Sequence, residues 1–348
     1  MRHFFLSPSL IFTVLFVGSM DAAKELIILT GFFTGPWKPG GFSALEKEIN
    51  NSSILAKQYE KIKCIDICLG KGTGNEELQA GPLILQMLHE SINANPKIKE
   101  IPKGSEVTGI FSSLAGLLMR CYLQAYADKL PFTVRHFISI CAPQAGINTV
   151  PLEGNYSNPV ESACTKVQKA TTEKIIQNYI PLSMPSFLFS SISYLSNFVM
   201  DQEKDAWKTL YQRDVQEKLI SIWRDPYHLE EYQACDKNFT PFLPLFNNEL
   251  RPQDAEAHKK VIQKFKTNLG KTAFFDFIAS DDDTFMPAWT ALCKERTETG
   301  FRKPEKLLNR IGVPPKKTTF QSTKAGHRCH TDDKIKGLVV KCLEARCS

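Results

Sequence analysis

The stretch that most constrains this chain is residues 107–146, VTGIFSSLAGLLMRCYLQAY followed by ADKLPFTVRHFISICAPQAG. It reads as a short apolar strand over 107–112, an abrupt turn of small residues, then a helix. Leu114, Leu117, Leu118, Cys121 and Ala125 fall at helical spacing and give that helix one buried face. A second apolar strand, 136–141, follows a polar break. Strand, serine, tight turn, helix is the layout that lifts a serine out of a sheet on a strained corner. Such a corner wants glycine two residues before and two after the serine, because helix and strand backbones nearly touch there. With Ser113 at the corner, the later position is Ala115, followed by Gly116, and the earlier one is Phe111. Ser112 is the poorer choice, since it puts Leu114 where a small residue is needed and points to the opposite side. Crowding at Phe111 is expected to cost rate, and Phe111→Gly to raise it if the backbone is merely strained.

Around this stretch, strand-like and helix-like segments alternate. Residues 25–30 (ELIILT) make a buried strand ended by the loop GFFTGPWKPGG, residues 42–57 a helix, and residues 61–69 a second strand. Helical spacing over 76–94 has its start set near Pro82. Later come a helix at 255–266, a strand at 272–279, a long polar loop containing PAWTALCKERTETGFRKPEK, a strand at 318–322 and a helix at 333–343. Such alternation predicts an α/β fold: a mainly parallel sheet with helices on both faces.

The pattern breaks over 151–252, which is read as a cap inserted between two parts of the sheet domain, 24–150 and 253–348. Within it, residues 179–200 (YIPLSMPSFLFSSISYLSNFVM) are strongly apolar but interrupted by Pro181 and Pro185. The prolines and serines argue against a membrane span and for a lid or interfacial segment over a lipid groove, with a buried helical hairpin an equal alternative.

The N-terminus, Met1-Arg2-His3 and then FFLSPSLIFTVLFVG before small and polar residues, has the form of a secretory signal over 1–23. Ten cysteines suit an oxidising compartment. Cys64 with Cys68, and Cys342 with Cys347, are candidate pairs by position alone. Sequons at Asn50, Asn51, Asn155 and Asn238 fit the same route, to a lysosome or to the outside. The net charge of +6 comes from scattered Lys and Arg with no basic stripe, so no nucleic-acid partner is expected.

Two loops carry further chemistry. The strand at 272–279 runs into Asp281, Asp282 and Asp283, and the strand at 318–322 into KAGHRCH, with His327 behind Ala325-Gly326. Of seven histidines only His327 and His330 follow the acidic loop. Serine, then acid, then histidine, each just after a strand, is the chain order of hydrolases built on a serine corner. No further ligands stand at a spacing that would make the histidine loop a zinc site.

With these residues in hand, the chain resembles the palmitoyl-protein thioesterases of the α/β-hydrolase superfamily. FSSLAGLLMR is similar to their nucleophile region, with Arg120 where an arginine opens the same helix, and ISICAPQAG to the next strand and turn, with Gln144 and Gly146 matching. IWRDPYHLEEY and KNFTPFLPLFNNE resemble the W-x-D-P stretch and the following run to Asn-Glu. SDDDTFMPAW and AGHRCH resemble the acid and histidine loops. The likeness runs collinearly over about 26–343, with an extra insertion near 171–209.

The resemblance implies Ser113 as nucleophile, His327 as base and Asp282 as acid, the last from its place five residues before Pro287. It implies backbone N–H donors at Phe32 and Leu114 for an oxyanion, no cofactor or metal, and a fatty acyl thioester as substrate, such as an S-acylated protein. Membrane-surface contact would come through the cap. Two positions depart from the family: Thr30 replaces the histidine before Gly31, and Phe111 replaces glycine. Two other classes stay open, an oxygen-ester lipid esterase and a lipid- or protein-binding relative with impaired catalysis.

Overall fold

The structure is a computed structural model, and it describes residues 25–32, 42–67, 81–146, 224, 229–235, 240–283, 288–297, 300–325 and 331–346. Among the described residues six strands form one sheet: β1 (Glu25–Phe32), β2 (Lys61–Asp66), β3 (Glu106–Ser112), β4 (Thr133–Ile140), β5 (Phe274–Ser280) and β8 (Thr318–Thr323). Their order is β2-β1-β3-β4-β5-β8 and every pairing is parallel, as the alternation predicts. Central strands of such a sheet are covered on both faces, and β3, β4 and β5 are buried almost throughout.

One face packs under α3 (Gly81–Ala94), the short α4 (Pro96–Lys99), α5 (Leu114–Tyr126) and the helix Lys259–Leu269, whose Ile262, Phe265 and Leu269 recur on one side. Phenylalanines cross this face from strand to strand. Ring centroids lie 5.6 Å apart for Phe111 and Phe137, 5.9 Å for Phe137 and Phe275, and 5.6 Å for Phe277 and Phe320. The opposite face is covered by α1 (Ser43–Asn50), α2 (Ser53–Gln58) and the closing helix Asp333–Ala345, through Leu45, Ile49, Leu55, Ile335 and Val339. The closing helix is also tied by charge at its end. Buried Asp276 of β5 meets His136 Nε2 at 2.5 Å and Arg346 at 3.2 Å, and accepts from the Thr319 hydroxyl. Burial alone would raise the Asp276 carboxyl, but these partners outweigh it and hold the pKa below the ordinary value.

Several local expectations are corrected. The helix read over 42–57 is two helices, because Ser52 caps the second by accepting from Leu55 N–H at 3.1 Å. The helix read over 255–266 is likewise two, Pro252–Ala257 and Lys259–Leu269. The polar loop after β5 holds a short helix, Ala288–Ala291, the antiparallel hairpin β6 (Glu295–Thr297) with β7 (Gly300–Arg302), and the helix Pro304–Ile311. Cys64 and Cys342 are free thiols, so neither pair suggested by position forms, whereas Cys141 is disulfide-bonded. The stretch 179–200 and the signal segment lie outside the described residues. Among the described residues no helix is long and apolar enough to cross a membrane.

Candidate active site

The corner forms at Ser113. After a register shift against β4 between Val107 and Thr108, β3 pairs regularly up to Ser112, which lies opposite Phe32 of β1 and Ile140 of β4. Ser113 then adopts φ 55° and ψ −141°, a region that costs a non-glycine residue about 1–3 kcal/mol. The surroundings hold it there. Its N–H donates to the Ile140 carbonyl at 2.8 Å, and its own carbonyl accepts from Gly116 N–H at 2.9 Å. Half-buried, it occupies the N-cap position of α5 without a side-chain capping bond, at a helix end where the aligned peptide dipoles favour negative charge.

The close approach that the corner requires falls at Gly116. A Cβ there would sit 2.5 Å from Ala142 Cβ and 3.0 Å from Ser139 Oγ, so α5 starts directly on the turn leaving β4. Phe111, expected to crowd the corner, is accommodated instead. Its ring lies over Gly109, two residues back on the same face, where a Cβ would penetrate it and stand 3.0 Å from Cζ. It also lies against Gly31, its partner on β1, where a Cβ would meet Cδ1 at 3.3 Å. Two missing side chains make room for one large one.

The strand order reverses between β1 and β3: β2 lies on one side of β1, and all later strands of the sheet lie on the other. At such a switch point the carboxyl ends of the strands leave a crevice, the usual place for a ligand in an open α/β sheet. Phe32, read as a loop residue, is the last residue of β1, and Leu114 is the first of α5, so the two flank this crevice. Thr30, where the family has histidine, is buried and donates its hydroxyl to Asp66 on β2.

The acidic loop leaves β5 at the same end of the sheet. Asp281 N–H donates to the Thr323 carbonyl at 2.9 Å, and its carboxylate accepts from Ser322 at 3.2 Å. Asp281 and Asp282 are exposed, whereas Asp283 is 5% exposed. His327 and His330 lie outside the described residues. The histidines described have other partners: His89 the Tyr122 hydroxyl, His136 the Asp276 carboxylate, and His258 the Thr240 hydroxyl and Asp254 carbonyl. Of the sequons, Asn50 and Asn51 are exposed at the end of the helix Ser43–Asn50. Asn155 and Asn238 lie outside the described residues. Among the described residues no group of His, Cys, Asp and Glu could hold a metal ion.

Behind the corner the family-like motifs meet in one buried polar network. Arg120, 1% exposed, donates to the Gln144 side chain at 2.8 Å, its carbonyl at 3.1 Å, Gln124 at 3.0 Å and Asn247 at 2.7 Å. Gln144 donates in turn to Ser139 at 2.8 Å. The Asn247 carbonyl accepts from Arg310 at 3.2 Å, and Arg310 reaches both Glu249 at 3.2 Å and Glu295. Arg224 pairs with Glu249 at 2.9 Å and stands 4.0 Å from Glu295, while Tyr232 donates to Glu249 at 3.1 Å. Burial would raise Glu249, but Arg224 and Arg310 hold it at about 2. Glu295 is raised, by burial first and then by the Glu249 charge. Glu295 and Arg310 were invisible as partners in the sequence, where they read as polar loop.

A serine held on a strained strand-to-helix corner, at the switch point of a parallel sheet covered on both faces, defines an α/β-hydrolase. The family described as palmitoyl protein thioesterase matches residues 27–304. The chain belongs to that family and is a hydrolase. Similar solved structures include a bromoperoxidase from Bacillus anthracis (10% identity, 93% of each chain covered, TM-score 0.42). An esterase from Thermogutta terrifontis is similar at 10% identity, covering 94% of this chain and 92% of that one, TM-score 0.41. A thioesterase domain from the curacin biosynthetic pathway is similar at 10% identity, covering 92% and 90%, TM-score 0.35. No curated protein matches the chain.

Proposed function

We propose that this hydrolase cleaves long-chain fatty acyl thioesters, such as palmitoyl-cysteine in proteins, through an acyl-enzyme on Ser113. The observation that carries the reading is the backbone of Ser113, strained and locked at the switch point, in a member of this family. His327 takes the serine proton, the serine oxygen attacks the thioester carbonyl, and the thiolate leaves with that proton. Water then cleaves the acyl-serine by the reverse proton path. The N–H groups of Phe32 and Leu114 stabilise the oxyanion of each tetrahedral intermediate; as backbone donors they tolerate Thr30 in place of histidine. The acid is Asp282 by its spacing from Pro287. Burial supports a second reading, Asp283, because a carboxylate shielded from water orients an imidazole more strongly.

The part of the inserted region 151–252 ahead of Arg224 is the acyl-chain cap, where burial of each methylene contributes about 0.8 kcal/mol and so selects length, and it is the surface that meets membranes; Tyr232, Phe242, Leu243 and Phe246 pack instead in the core of the sheet domain. The chain enters the secretory pathway by the 1–23 signal, carries glycan on Asn238 and Asn155, and works in a lysosome-like compartment or outside the cell. Hydrolysis of palmitoyl thioester and of the matching oxygen ester by wild type, Ser113→Ala and Ser112→Ala tests the reaction. Turnover of the thioester lost only in Ser113→Ala is expected. Fatty-acid binding without turnover in wild type would make the chain a binding relative, and preference for the oxygen ester would make it a lipid esterase.

A further inference from the structure

The side chain that departs most from the family pattern sits where it can govern the site. Phe111 is fully buried, one residue before Ser112 and two before the corner, and its strand partner is Gly31. Its ring covers the backbones of Gly109 and Gly31 together and ends a row of phenylalanines that starts at Phe320 on the edge strand. On β1, Gly31 is followed directly by Phe32, opposite Ser112. The ring therefore wedges the end of β1 against the end of β3.

We propose that Phe111 is a positioning residue: through its contact with Gly31 it fixes the Phe32 N–H relative to Ser113. This rests on the reading of Ser113 as nucleophile and of Phe32 as oxyanion donor. The physical reason is the company the ring keeps. Glycine in place of Phe111 would join Gly31 and Gly109 in a bare patch on two adjacent strands, with a ring-sized void beneath the crevice and three backbone positions free of any side-chain constraint. Glycine here removes the wedge that Gly31 and Gly109 of this chain accommodate. The expectation that Phe111→Gly raises the rate is thus reversed.

The test uses the full chain and compares wild type, Phe111→Gly, Phe111→Leu and Gly109→Ala, the last forcing the ring to shift without removing it. Readouts are kcat and KM on a palmitoyl thioester, the rate of labelling by a small serine-directed fluorophosphonate, and thermal unfolding. Misplacing an oxyanion donor lowers kcat roughly 10²-fold, so Phe111→Gly is expected to lose about that much in both kcat and labelling rate with KM nearly unchanged. Gly109→Ala should lose activity in the same sense, and Gly109→Ala combined with Phe111→Leu should recover part of it, because the smaller side chain relieves the clash. A folded Phe111→Gly or Gly109→Ala with unchanged or faster kcat overturns the proposal and leaves the nucleophile reading intact. A Phe111→Gly chain that does not fold leaves the decision to Gly109→Ala and the double variant. Wild type that neither labels nor turns over removes the nucleophile reading, and this proposal with it.

Discussion

Two regions meet at α5, one through Gly116 and the other through Arg120, and are held by opposite means. At the corner, close approach is obtained by subtraction: Gly109, Gly31 and Gly116 lack side chains, and one ring and one helix end occupy the space. Behind it, Arg120, Arg224, Arg310, Glu249 and Glu295 are buried by compensation, each charge answered by hydrogen bonds or an opposite charge. The first region fixes backbone to within a contact distance, because repulsion is steep. The second ties distant parts of the chain, Arg224 to Glu249 and Arg310 to Asn247, because charge–charge attraction is long-ranged in a buried setting. The corner should therefore fail in rate, and the network in stability.

The largest effect expected in this comparison is on rate. Replacing Asp281, Asp282 and Asp283 in turn by Asn should leave one variant slowed by roughly 10⁴-fold, the scale of neutralising a triad acid, with thermal unfolding little changed. Loss in Asp282→Asn supports the spacing, loss in Asp283→Asn supports burial, and loss in Asp281→Asn contradicts both. Next, Arg224→Met should destabilise the fold by about 3–5 kcal/mol, because two buried carboxylates lose a partner. Adding Glu249→Leu should recover part of that in denaturant unfolding, and a simple sum of losses would show that the charges do not act together. Smaller again, Gly116→Ala overpacks the turn after β4 and should cost about 1–3 kcal/mol, with a fall in kcat that Arg224→Met lacks in its folded fraction.

The smallest effect is on acid stability. Glu249 is held at about 2 against an ordinary 4.5, so its contribution is complete above the unfolded value and lost as pH falls towards 2. Asp276, also lowered, acts in the same direction at the far end of the sheet. Glu295 is raised and acts oppositely, its contribution present at low pH and lost as pH rises through the folded value. Unfolding temperatures across pH 2–5 should rise with pH in wild type and flatten in Glu249→Gln. An unchanged slope would mean that Glu249 does not carry the linkage.

Much of the fold was legible because parallel strands covered on both faces read as apolar runs, and Ile28, Ile110, Phe137 and Phe277 do. Ser113 was legible because a serine between such a run and an apolar helix has few alternatives. What escaped depends on contacts between distant residues. Gly109 gave no hint that it makes room for Phe111, since that requires knowing which face each occupies and that Gly31 lies alongside. Glu295 and Arg310 read as solvated loop because their burial comes from pairing, which a local window cannot see. The break at Ser52 was missed for a related reason: the apolar spacing continues across it, and only the capping bond to Leu55 ends one helix and starts the next.

The central claim is that the strained residue of the corner is the nucleophile. The most direct measurement is to treat the folded chain with a serine-directed fluorophosphonate, digest it and locate the adduct by peptide mass spectrometry. A single adduct on Ser113, abolished in Ser113→Ala and retained in Ser112→Ala, is the expected result. An adduct on Ser112, or none on a chain that still hydrolyses the thioester, would contradict it.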